Sequence, residues 1–201
     1  MLSSYTNSKY IYWTINWTLW TTDDAGRAVK ITSVGTVSKC VQILESKLPH
    51  FLKHVFIKRE QSKYFESIKL NTTDQYCLLQ YDYSENFSTV HQNGIQLAHF
   101  SKKQLSLFTA HVWAGAQNYS YVLVFNNQTH NKHTVSQCLD HIFTHSQSSL
   151  PNPQEIVIFS DGSASQFKQR FLFKNLTTLA RDFNFLLSCH FFATSHGKVS
   201  E

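Results

Sequence analysis

With 201 residues, 42% of them apolar and 16 of them Phe, the chain can bury the core of one good-sized domain with a small appendage. Only 6 Gly and 3 Pro exclude a low-complexity or disordered chain, and no run approaches the roughly 18 apolar residues of a membrane span. The net charge of +5 sits in the first third: residues 1–70 carry ten Lys/Arg against five Asp/Glu, and residues 71–201 carry eight of each. The first third is therefore the part expected to meet something anionic.

The start, "MLSSYTNSKYIYWTINWTLW", lacks the basic residues and continuous apolar block of a signal peptide. An intracellular protein is expected, and the six N-x-[ST] sequons carry little weight. Trp13, Ile15, Trp17 and Leu19 alternate with Thr14, Asn16 and Thr18, which predicts a strand. "TTDDAGR" supplies a turn and "AVKITSV" the returning strand of a β-hairpin. The next stretch, residues 36–70, has helical apolar spacing through Val41, Leu44, Leu48, Leu52, Val55 and Phe56, with Pro49 expected to break or kink it. In its second half Lys53, Lys58, Arg59 and Lys63 face only Glu60. Such a surface suits phosphate neutralisation, and equally a solvated helix face.

After residue 70 the pattern changes. "YCLLQYDYS" predicts a strand ending at Asp82, and "QLSLFTAHVWA" and "YSYVLVFNN" predict two more, joined at "GAQN". "NKHTVSQCLDHIFTH" predicts a helix with Val135, Cys138, Leu139, Ile142 and Phe143 on one apolar face. "EIVIFSD" is a fourth strand. "SASQFKQRFLFKNLTTLARDF" is a helix capped by Ser163 or Ser165, and "NFLLSCHFFAT" a fifth strand. The order β-β-β-α-β-α-β implies an α/β fold with a mixed five-stranded sheet flanked by helices, preceded by the N-terminal hairpin and helical segment. Residues 1–70 and 71–201 are the two expected domains. Cys40, Cys77, Cys138 and Cys189 show no C-x-x-C, which argues against zinc and against a disulfide framework.

Asp82 and Asp161 each end a predicted strand, the first and the fourth, 79 positions apart (161 − 82). If those strands are neighbours the carboxylates converge, and two hard oxygen ligands suit Mg²⁺ or Mn²⁺. Either residue can instead be an ordinary turn former, as Asp161-Gly162 after a strand commonly is. Glu85 and Asn86 either support a metal from behind its ligands or bond backbone at the strand end. His190 reads as a core histidine, and His130, His133, His141 and His145 lack the spacing of a metal site.

The blocks "YDYSENF", "SDGSASQFKQRFLF" and "HFFATSHGK", with "KREQSKYF" in the basic segment, resemble transposon-derived proteins of animal genomes that are themselves similar to DDE-type transposases. The resemblance runs over nearly all of the chain. It implies an RNase H-like core in which Asp82 and Asp161 are catalytic metal ligands for Mg²⁺ or Mn²⁺, and DNA as partner. Lys168, Arg170 and Lys174, at the start of the helix after Asp161, either hold phosphates near the metals or are solvated helix residues; His196 and Lys198 follow the last strand, on the expected active edge, where they could touch DNA or a scissile phosphate. The third acid of such sites lies on a helix after the fifth strand. Here the sequence reads Val199, Ser200, Glu201, so the expectation is a C-terminally truncated core, ancestrally a DNA-cutting and -joining enzyme. The alternative is a non-enzymatic nucleic-acid-binding or interaction protein. A nuclear or other intracellular location is expected, no membrane association, and self-association is left open.

Overall fold

A computed structural model describes residues 12–88, 104–150 and 153–193. The chain divides between Phe56 and Ile57 into two compact units. In the first, β1 (Thr14–Thr22) and β2 (Ala28–Thr36) form an antiparallel hairpin. Asp23 closes its turn: Oδ1 accepts from the Ala25 and Arg27 amides at 3.0 and 2.8 Å, and Gly26 takes φ +76°. Trp17 packs over Gly35, where a Cβ would lie 2.9 Å from the ring and force it to shift. Ile15, Trp17 and Leu19 are half-buried as the alternation predicts, whereas Trp13, just ahead of the strand, is exposed.

The helix α1 (Val37–Leu70) runs through Pro49 without the expected break. One missing amide and a ring clash cost about 3 kcal/mol, and the helical turns on both sides outweigh that cost. The apolar stripe is only partly covered: Val41, Leu48 and Val55 are half-buried, and Leu44, Leu52 and Phe56 are exposed. Spacing marks a shared face but not what covers it. No helix among the described residues is long and apolar enough to cross a membrane.

The second unit is a mixed sheet between helices. Its strands are β3 (Tyr76–Tyr83), β4 (Phe87–Ser88), β5 (Gln104–Ala114), β6 (Gln117–Phe125), β7 (Glu155–Ser160) and β8 (Leu186–Phe191). The main path is β6-β5-β3-β7-β8, with the two-residue β4, unforeseen in the sequence, pairing with the start of β5. β3, β7 and β8 are mutually parallel, and β5 is antiparallel to both β3 and β6. The β5–β6 turn needs Gly115, at φ +63°, where a Cβ would press on the Thr73 backbone at 3.3 Å.

α2 (Lys132–Ser146) and α3 (Arg170–Asp182) cover one face. All five apolar residues foreseen for α2 are buried there, against Leu79, Tyr81, Phe108 and Ile158 of the strands and Leu172, Leu176 and Leu179 of α3. α3 starts later than expected. The cap is Gln169, whose side chain accepts from the Phe171 amide, rather than Ser163 or Ser165. The intervening loop is pinned by Phe167, fully buried against Tyr81 and Tyr83. The opposite face is covered by the C-terminal part of α1, where Phe65 and Ile68 pack with Leu78, Val157, Phe159 and Phe192.

Candidate functional site

β3 and β7 pair in parallel at a constant offset, from Tyr76↔Glu155 to Gln80↔Phe159. That offset of 79 positions (155 − 76) is also the separation of Asp82 and Asp161. Asp82 lies two residues beyond the last paired residue of β3, and Asp161 follows directly after β7, so both lie at the same end of the parallel pair. Side chains alternate across a strand, so Asp82 shares the face of Leu78, in the α1-side cluster with Val157 and Phe159. Asp161 opens the loop that follows β7. Both residues are half-buried.

Local hydrogen bonds hold each carboxylate. Asp82 Oδ1 accepts from the Tyr83 amide and Asp161 Oδ1 from the Ser163 amide, both at 2.8 Å. The Asp161 bond is the turn bond that the residue type predicts, so Asp161 does serve as a turn former. A bond of this kind orients the carboxylate. Beside the pair, Thr109 of β5 lies opposite Asp82 and its hydroxyl donates to the Asp82 carbonyl at 3.2 Å. Carboxylates are hard oxygen donors, chemically suited to Mg²⁺ or Mn²⁺. Among the described residues no three His, Cys, Asp or Glu gather into a metal cluster, so the described candidate is the pair alone.

Two histidines lie two residues below Asp82 in the sheet. In the row formed by Gln80, Phe159, His190 and His111, burial lowers the affinity of His190 for a proton. The same burial lowers that of His111, with the Lys69 ammonium adding to it. His190 stacks on Phe159 and meets the edge of Tyr64, both at 5.0 Å between ring centres, as a core histidine. Burial pushes the Cys77 and Cys138 thiols up to about 11 and Cys189 to about 12. All four cysteines are free thiols, and at neutral pH those three are protonated and therefore poor ligands and nucleophiles.

The other candidates are scattered. Lys53, Lys58, Arg59 and Lys63 are exposed on α1, and Lys63 is paired with Glu60 at 2.7 Å. Arg170 and Lys174 are exposed at the start of α3. Lys168 precedes that helix, its ammonium 5.7 Å from the Phe191 ring centre. Glu85 is exposed, and Asn86 is half-buried, its Oδ1 enclosed without a hydrogen-bond partner among the described residues. His196 and Lys198 lie outside the described residues. Sequence did not single out Thr109 or the loop anchor Phe167. Thr109 carries no motif, and Phe167 falls within a stretch whose pattern is that of an ordinary helix.

Residues 61–200 match the family model described as "Domain of unknown function (DUF8701)". The chain belongs to that family. Asp82 and Asp161 both fall inside the DUF8701 stretch, as does everything described of the sheet. No curated protein matches the sequence. Among solved structures, the Mos1 transposase paired-end complex with left transposon end aligns at 13% identity with a TM-score of 0.39. The match covers 70% of this chain and 42% of that one; a likeness of that strength assigns neither fold nor function.

Proposed function

We propose that the DUF8701 stretch is an RNase H-like core of DDE-transposase type, and that the protein acts on DNA with Asp82 and Asp161 as ligands of Mg²⁺ or Mn²⁺. The observation that carries this reading is the 79-position offset of the central parallel pair β3–β7, which equals the separation of Asp82 and Asp161. The strand order β6-β5-β3-β7-β8, with the first acid on β3 and the second just past β7, supports it further. A bound divalent cation would polarise a phosphodiester and lower the pKa of an attacking water or 3′-hydroxyl. The chain's own part is positional. Backbone amides orient both carboxylates, Phe167 pins the loop after Asp161, and exposed cations offer contacts to phosphate.

A second reading, a DNA-binding protein without turnover, draws on the Oδ1 atoms of both aspartates being engaged by backbone amides, a purely structural use. One experiment separates the two readings. End-labelled duplex DNA is incubated with the full chain in Mg²⁺ or Mn²⁺, alongside Asp82→Asn and Asp161→Asn. Nicking that needs the metal and is abolished by either substitution supports the enzyme reading. DNA binding that survives both substitutions, with no nicking by the wild type, supports the second.

A further inference from the structure

Resting on the reading of this protein as one that acts on DNA, we propose that Lys132, Lys168, Arg170 and Lys174 form a second, metal-independent clamp on the phosphodiester backbone. Lys132 belongs to no motif in the sequence. Both helices that carry these cations begin at the aspartate end of the sheet. β6 runs parallel to β3, being antiparallel to its antiparallel neighbour β5, so α2 starts where β3 ends. α3 follows β7 and starts at that same end. Phe171 joins the two starts: the Lys132 ammonium lies 5.3 Å from its ring centre and the His133 ring packs on it at 4.6 Å. Lys168, in the loop before α3, is held over Phe191. The aromatic rings thus position the ammonium groups of two lysines in advance of binding.

Helix stability does not explain this arrangement. Neither α2 nor α3 has an acid in its first turn, and residues 162–180 contain no Asp or Glu at all. Cations at the start of a helix oppose its macrodipole. Arg170 and Lys174 are also like charges at i, i+4, which repel. Among the described residues no carboxylate pairs with any of the four. An anion lying across both helix starts would offset all three penalties. The cluster lies at the same end of the sheet as the aspartates, on the face opposite that of Asp82, so a nucleic-acid strand crossing the strand ends would meet cations on one side and Asp82 on the other. A polymer of phosphates fits four cations spread over two helices and a loop better than one small anion.

The test uses the full chain in EDTA, so that metal binding plays no part, with a short duplex DNA followed by fluorescence anisotropy over a KCl series. The variant K132A/K168A/R170A/K174A should reduce the steepness of log affinity against log salt by about 3 to 4, at roughly 0.9 per phosphate contact. K132R/K168R/R170K/K174R should keep it. If the fourfold variant melts early, K132A/R170A serves instead, with an expected reduction of about 2 on the same basis. Wild-type binding that the alanine variants leave unchanged in strength and salt dependence overturns the clamp alone. A wild type that binds no duplex at any salt overturns both the clamp and the DNA reading. Loss of binding to phosphatidylserine vesicles, with DNA binding intact, would reassign the cluster to an anionic membrane surface and overturn the clamp.

Discussion

The offset of 79 positions that pairs β3 with β7 is also the separation in sequence of Asp82, near the end of β3, and Asp161, the residue after β7. Each is steadied by a backbone amide at 2.8 Å. Substitution to Asn keeps an oxygen for that amide and removes the charge. Asp82→Asn and Asp161→Asn should therefore stay within about 1 kcal/mol of wild-type stability while Mn²⁺ affinity falls at least about tenfold. Urea titration and metal titration on the same preparations check both halves. A loss of several kcal/mol would mean that the carboxylates serve the fold.

The α1-side core depends on Phe65, which is 1% exposed and packs edge-on against Trp113 and Phe159. Phe65→Ala should cost about 3–5 kcal/mol in urea unfolding. Phe51→Ala, at a site 61% exposed on the same helix, should change stability by no more than about 0.5 kcal/mol. Equal effects at the two sites would contradict the packing described.

Gly115 adopts φ +63° with the Thr73 backbone close by. Gly115→Ala should destabilise by more than the ~1 kcal/mol that a compatible Gly→Ala change gains, read as a lowered melting temperature. An unchanged or raised melting temperature would show that the turn tolerates a side chain.

Stability should fall as pH drops below neutral. His190 and His111 are held below their ordinary value of 6.5 in the fold, chiefly by burial. As pH falls through 6.5 the unfolded imidazoles take up protons that the folded ones resist, so the unfolded state gains, and the loss levels off below the folded values. Urea midpoints at pH 7.5, 6.5 and 5.5 should decline, and His190→Phe should flatten part of that slope. A wild type and variant with parallel pH profiles would remove His190 from the account.

Much of the sheet was legible because its strands announce themselves locally. β5 spans the run "QLSLFTAHVWA", and α2 buries every apolar residue that its 3.6-residue period selected. Misses arose where a neighbour decides. Leu44, Leu52 and Phe56 form a stripe, but coverage of a stripe is a tertiary fact. The start of α3 was misplaced because Asp161 closes a turn and Phe167 plugs into the core before Gln169 caps the helix. Of the candidate site, residue type and position at strand ends pointed to Asp82 and Asp161. The pairing of β3 with β7 was not readable, since sequence does not state which strands are neighbours. Lys132 and Lys168 were brought into one argument only by the rings that hold them.

The most direct test of the central claim is Mn²⁺ binding to the full chain, followed by electron paramagnetic resonance, for the wild type, Asp82→Asn and Asp161→Asn. The account predicts a bound-Mn²⁺ signal in the wild type that either substitution removes, with folded protein in all three samples. An identical signal in all three, or no bound Mn²⁺ in the wild type, would contradict a metal site shared by these two carboxylates.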